Sequence, residues 1–136
     1  MRFLVDTHCW LWLQTSPDRL APELLSQLAD PDNELLLSAA SSWEIAMKFA
    51  LGKLPLPEPP AVYVPRRMAA SGSRGLAVEH AHTLRVAALP AHHRDPFDRL
   101  LIAQAQIEQL TVVTADPQFG RYDVDLRFAA GDAARR

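Results

Sequence analysis

The sequence predicts an α/β fold, a mostly parallel central sheet with helices on both faces in three α/β/α layers. Three observations predict it. Short apolar runs end abruptly near an acidic residue, as in Arg2-Phe3-Leu4-Val5 before Asp6 and Leu110-Thr111-Val112-Val113-Thr114 before Ala115-Asp116. These runs are apolar throughout rather than alternating, which suits strands buried on both faces. Between them lie segments of helical period, and strands alternating with helices favour parallel pairing.

Taken in order, Arg2 to Val5 reads as a buried strand that delivers Asp6 at its C-terminal end, the sheet edge where α/β folds bind ligands. His8 to Gln14 reads as a helix with an extensively buried surface, and its Trp10 and Trp12 are assigned to packing or a partner interface rather than to a substrate platform. Thr15-Ser16-Pro17-Asp18 breaks the pattern. A second helix is expected over Pro22 to Ala29 with Leu24, Leu25 and Leu28 on one face, then a turn at Asp30-Pro31-Asp32-Asn33. Glu34 to Ser38 is a second buried strand, and Ala39 to Leu51 a helix closed by Gly52.

Pro55, Pro57, Pro59 and Pro60 form a connection too short for a domain linker. A helix from Ala61 to Ala70 follows, then a turn over Ser71 to Gly75, a brief strand at Leu76-Ala77-Val78 and a short helix from Glu79 to Ala88. His80 and His82 are two positions apart and cannot share a helix face, so they read as surface residues rather than metal ligands.

The stretch His92-His93-Arg94-Asp95-Pro96-Phe97-Asp98 places two carboxylates at the mouth of an otherwise apolar helix. Pro is favoured at the first helical position and biases its predecessor away from helix, so Asp95 reads as the N-cap. Asp98 falls in the first turn, while Leu101, Ile102 and Ala105 face a core. Such acids also offset the helix dipole without any function. Leu110 to Thr114 is the clearest strand, Pro117 to Tyr122 one helical turn, Val124 to Phe128 an edge strand, and Gly131 to Arg136 a frayed tail. The whole reads as one domain over 1–130 with a tail at 131–136.

Composition narrows the function. In 136 residues, 49% are hydrophobic, which supports one domain with a real core and excludes a disordered chain. The lone Cys9 excludes an internal disulfide and a cysteine-rich zinc site. A net charge of -2 excludes coating nucleic acid through bulk charge, so any such contact is local. The early Asp6 interrupts any signal-peptide core and no apolar run is long enough to span a bilayer; a cytoplasmic protein is expected.

Asp6 and Asp116 follow strands, and Glu44 and Asp98 lie near helix starts; a parallel sheet can bring all four to one edge. Close carboxylates raise one another's pKa unless a cation joins them, and oxygen ligands favour Mg²⁺ or Mn²⁺ over zinc. For Glu44 an exposed pair with Lys48 at i,i+4 remains an equal reading.

At these residues the sequence resembles the PIN domain family, and within it the VapC-type ribonuclease toxins of bacterial type II toxin–antitoxin systems. The resemblance runs through Val5-Asp6-Thr7-His8 with Leu11-Trp12, and Ser42-Trp43-Glu44-Ile45-Ala46 through Lys48 to Gly52-Lys53-Leu54. It continues in His93 to Ala105, and in Val113-Thr114-Ala115-Asp116 with Phe119 and Tyr122.

The resemblance implies a PIN-like fold and a Mg²⁺-dependent endoribonuclease, with Mn²⁺ a plausible substitute. Its catalytic acids would be Asp6, Glu44, Asp98 and Asp116. Asp6, Asp98 and Asp116 would bind metal, with Asp116 completing or supporting the site, and Glu44 would act through a bound water. Thr7 and Thr114 would orient the carboxylates by hydrogen bonds. Lys48, Arg94 and Arg99 would hold RNA phosphates, against the alternative of surface ion pairs. In-line attack by an activated water would leave a 5′-phosphate and a 3′-hydroxyl, with no protein nucleophile. Partners would be RNA, a VapB-type antitoxin and a second copy in a homodimer, with no membrane.

A haloacid-dehalogenase-type phosphotransferase needs a second Asp where His8 stands, and no glycine-rich phosphate loop is present. The alternative from another class is a catalytically weak PIN-like module that binds RNA or protein and keeps the acids as a structural metal site.

Overall fold

The computed structural model describes residues 1–131. The five strands are β1 (Arg2–Val5), β2 (Glu34–Ser38), β3 (Ser73–Leu76), β4 (Thr111–Thr114) and β5 (Asp125–Phe128). They form one sheet in the order β3-β2-β1-β4-β5, and every pairing is parallel. Phe3 lies opposite Leu35 on one side and Thr111 on the other, which makes β1 the central strand. The chain runs from β1 outward to β3, then returns to β1's other side as β4. At such a reversal, here the C-terminal ends of β1 and β4, α/β folds place their ligand crevice.

Helices cover both faces: α1 (Thr7–Thr15), α2 (Pro22–Ala29), α3 (Ala39–Ala50), α4 (Pro60–Ser71), α5 (His80–Arg85) and α6 (Pro96–Glu108). The two-residue period of the strands divides their side chains between two cores. Phe3, Val5, Leu35, Leu37 and Val113 pack with Trp10, Leu24, Ile45 and Tyr63 on one face. Leu4, Leu36 and Val112 pack with Leu101, Ile102, Ala105 and Phe119 on the other. Strands apolar on both faces thus produce the three layers expected. No helix among the described residues is long and apolar enough to cross a membrane.

Three expectations change. The brief strand is Ser73–Leu76 rather than Leu76 to Val78. Gly72, at φ 69°, closes α4 alone, so the polar residues after it pair at once with β2 as a short edge strand. His82 is 1% exposed, not a surface residue. Its Nδ1 accepts the Glu79 backbone N–H at 2.9 Å, closing the start of α5, and Gln104 lies against it. His80 is exposed as expected. Finally α1 starts at Thr7, because Asp6 itself is its cap. The expected frayed tail lies outside the described residues from 132 onward.

Candidate functional site: acids at the crevice

Each predicted acid is placed by a separate piece of local structure. Asp6 follows β1, its backbone N–H donating to the Val113 carbonyl at 2.9 Å across to β4. Its Oδ1 accepts the Cys9 backbone N–H at 2.8 Å as the N-cap of α1. Glu44 stands in the second turn of α3, 3% exposed. Asp98 is held in the first turn of α6, where Asp95 Oδ1 accepts the backbone N–H of Phe97 at 2.8 Å and of Asp98 at 3.3 Å. Asp116 caps the helical turn Pro117–Arg121, its Oδ1 accepting from Gln118 N–H at 2.9 Å. Asp6, Asp98 and Asp116 therefore all face helical N-termini, whose free N–H groups and dipoles favour anions.

That help is incomplete. Burial pushes the Asp6 carboxyl above its ordinary pKa, against hydrogen bonds from Thr114 and Cys9. Asp98 is pushed up to about 7, first by burial and then by the charges of Asp95 and Asp6, with Glu44 adding to them and His93 opposing. Asp6, Glu44 and Asp98 thus lie in one field of like charge. Glu44 Oε2 takes a 2.6 Å ion pair from Lys48 Nζ, but Oε1 is buried without a hydrogen-bond partner. A carboxylate oxygen buried without a donor, in a field of like charges, is what a hard divalent cation relieves. The residues present therefore fit such an ion.

His93 joins the centre although its imidazole carried no role in the sequence reading. Its Nε2 lies 2.9 Å from Asp116 Oδ2 and 3.0 Å from Asp98 Oδ2. The available signal was its place three residues before a helix start bearing two acids, but only a fold shows where a loop side chain turns.

Of the two threonines, Thr114 links the acids: its hydroxyl hydrogen-bonds Asp6 and accepts the Asp116 backbone N–H at 3.0 Å. The Thr7 hydroxyl instead donates to Ser41 Oγ at 2.9 Å, tying α1 to α3. Among the predicted cations, Lys48 is paired with Glu44 and Arg94 is exposed on the loop. Arg99 binds the carbonyls of Pro90 at 2.9 Å and Val86 at 3.0 Å, and the Tyr122 hydroxyl at 3.2 Å. Its guanidinium is committed to the loop before α6.

The tryptophans divide. Trp10 is fully buried with its indole N–H on Ser73 Oγ at 3.0 Å, and Trp12 is half-buried beneath Arg19. Trp43, next to Glu44, is 61% exposed and meets Phe97 edge-on at 5.1 Å. Burial pushes the Cys9 thiol far above its usual pKa, so it offers no nucleophile.

Comparison with known proteins gives the family and the fold. A family model described as PIN domain matches residues 3–125. A stretch of 69 residues, 48% of the chain, is 52% identical to Ribonuclease VapC16 of Mycobacterium tuberculosis. The matched stretch spans 49% of that relative, about half its length. Among solved structures, VapBC2 from Rickettsia felis bound to a DNA fragment from its promoter superposes at a TM-score of 0.72 with 16% identity, covering 94% of this chain and 98% of that one. DNA-bound VapBC from Salmonella typhimurium gives 0.68 at 15% identity over 94% of this chain and 98% of that one. At such identities these structures speak for the fold alone.

Proposed function

This chain belongs to the PIN domain family, and on that premise we propose that it is a metal-dependent endoribonuclease, the toxin of a type II toxin–antitoxin pair. The observation that carries the reading is the buried, unpartnered Glu44 Oε1 within the shared field of Asp6 and Asp98 at the crevice. The relative named as a ribonuclease and the structural neighbours described as VapBC support it.

Asp6 and Asp98 would hold the ion, Mg²⁺ or Mn²⁺ in its place, with Glu44 reaching it through a water. Asp116, whose two oxygens already accept from Gln118 and His93, supports the site from its rim. When bound, the ion supplies Lewis acidity toward a phosphate oxygen and toward a water. Glu44, its Oε2 fixed by Lys48, offers Oε1 to orient the attacking water. Thr114 holds Asp6 and Asp116 in register, while Thr7 fixes α1 against α3 beneath them. Arg94 meets the RNA backbone, with Lys48 turned toward it from its exposed side; such contacts orient substrate without reading bases. Arg99 keeps the loop carrying Arg94 in place. In-line displacement leaves a 5′-phosphate and a 3′-hydroxyl.

The partners follow from the same reading: RNA, a VapB-type antitoxin that covers the crevice, and a second copy in a homodimer. Incubating the antitoxin-free chain with mixed RNA tests the proposal. Wild type should cleave, and Glu44→Gln and Asp98→Asn should lose at least a hundredfold in rate while remaining folded. Persistent cleavage by both variants refutes the site.

A further inference from the structure

His93 is the one ring nitrogen donor among the grouped acids, and its position invites two opposite roles. One ligand atom each from His93, Asp98 and Asp116 falls within 4.8 Å of the others, a spacing open to a metal ion. The hydrogen bonds decide otherwise. His93 Nδ1 accepts the Asp95 backbone N–H at 3.3 Å, which places the ring hydrogen on Nε2. Nε2, carrying that hydrogen, donates to Asp116 Oδ2 at 2.9 Å, with Asp98 Oδ2 at 3.0 Å beside it, and presents no lone pair to an ion.

We infer that His93 is a positioning residue, a clamp whose Nε2–H bonds Asp116 Oδ2 and draws Asp98 Oδ2 in beside it, and so sets the carboxylates for the ion. This rests on the proposed reading of the acids as a metal centre. The ring and the loop that carries it are both held in place. Its face meets Phe119 edge-on at 6.0 Å, and its own backbone N–H donates to the Tyr122 hydroxyl at 2.8 Å. That hydroxyl also receives the His92 N–H at 3.1 Å and donates to the Pro90 carbonyl at 3.0 Å. The clamp thus ties the first turn of α6 to the segment that follows β4. A partner that orients a metal-binding carboxylate from behind matters to affinity nearly as much as the ligand.

The test is a Mn²⁺ titration by calorimetry on wild type, His93→Ala, His93→Gln and Tyr122→Phe, with circular dichroism confirming each fold in chelator. His93→Ala should bind about tenfold to a hundredfold more weakly. His93→Gln, which keeps an N–H donor, should recover part of the loss, and Tyr122→Phe should weaken binding in the same direction. Should the alanine variant fail to fold, the other two carry the comparison. Nitrogen-15 spectra of the histidine rings should show the Nε2–H form of His93 both without metal and with Mg²⁺. Equal or tighter Mn²⁺ binding by the folded His93 variants, or loss of the Nε2 proton when Mg²⁺ binds, overturns the clamp and leaves the metal centre standing. A wild type that takes up no Mn²⁺ overturns both.

Discussion

Lys48 Nζ stands 2.6 Å from Glu44 Oε2, with the Glu44 side chain 4% exposed and that of Lys48 35% exposed. The pair is the i,i+4 couple that a surface helix would show, yet one partner is buried and its second oxygen is left open. Removing a partner from a fully buried pair costs about 3–5 kcal/mol; with Lys48 partly in water, Lys48→Ala should cost about 1–2 kcal/mol. The urea midpoint in chelator should fall accordingly, and Mg²⁺ should restore more stability to the variant than to wild type.

Asp98 makes metal-free stability depend on pH. Its folded pKa, about 7, lies above the ordinary 3.8. Between these values the folded state binds more protons than the unfolded one, so stability falls as pH rises. Asp6, also raised, acts in the same sense. Urea midpoints in chelator should decline from pH 4 to pH 7, and Asp98→Asn should flatten the decline. Asp98→Asn should also be more stable than wild type at neutral pH in chelator, and gain less from Mg²⁺.

Arg99 gives a different signature, because its guanidinium reaches two carbonyls and a hydroxyl that a lysine cannot span together. Arg99→Lys should therefore behave much like Arg99→Ala, each losing about 1–3 kcal/mol from a charge-assisted hydrogen-bond set. Urea unfolding checks this. Arg94→Ala should leave stability unchanged and weaken RNA binding with a reduced salt dependence.

Trp10 and Trp43 should part by mechanism. Trp10→Ala opens a cavity in the core at a cost of about 3–5 kcal/mol. Trp43→Ala removes an exposed ring and an edge-on contact with Phe97, worth about 0.5–1.5 kcal/mol. Thermal melts of the two variants distinguish them.

The strands were legible because β1, β2 and β4 are apolar on both faces, a pattern that tertiary contacts only reinforce. The Asp95 cap was legible because Pro96 restricts its neighbour before any contact forms. β3 was misplaced because an edge strand of Ser, Arg and Gly carries a turn's composition. His82 was misjudged because helix-face spacing tests metal sharing, not burial, and its partner Gln104 lies on another helix. The same limit hid His93 and the structural duty of Arg99, whose partners are backbone carbonyls ahead of α6 and the Tyr122 hydroxyl. In Thr7 the sequence showed a hydroxyl beside a key acid but not that Ser41 would claim it.

The most direct test of the proposed chemistry is the end structure of fragments from one defined RNA, cleaved by the antitoxin-free chain with Mg²⁺ and with chelator. Water attack directed by the acids predicts 5′-phosphate and 3′-hydroxyl ends, formed with Mg²⁺ and absent in chelator. Fragments with 5′-hydroxyl and 2′,3′-cyclic phosphate ends that persist in chelator would contradict it, since they require attack by the RNA's own 2′-hydroxyl without an ion.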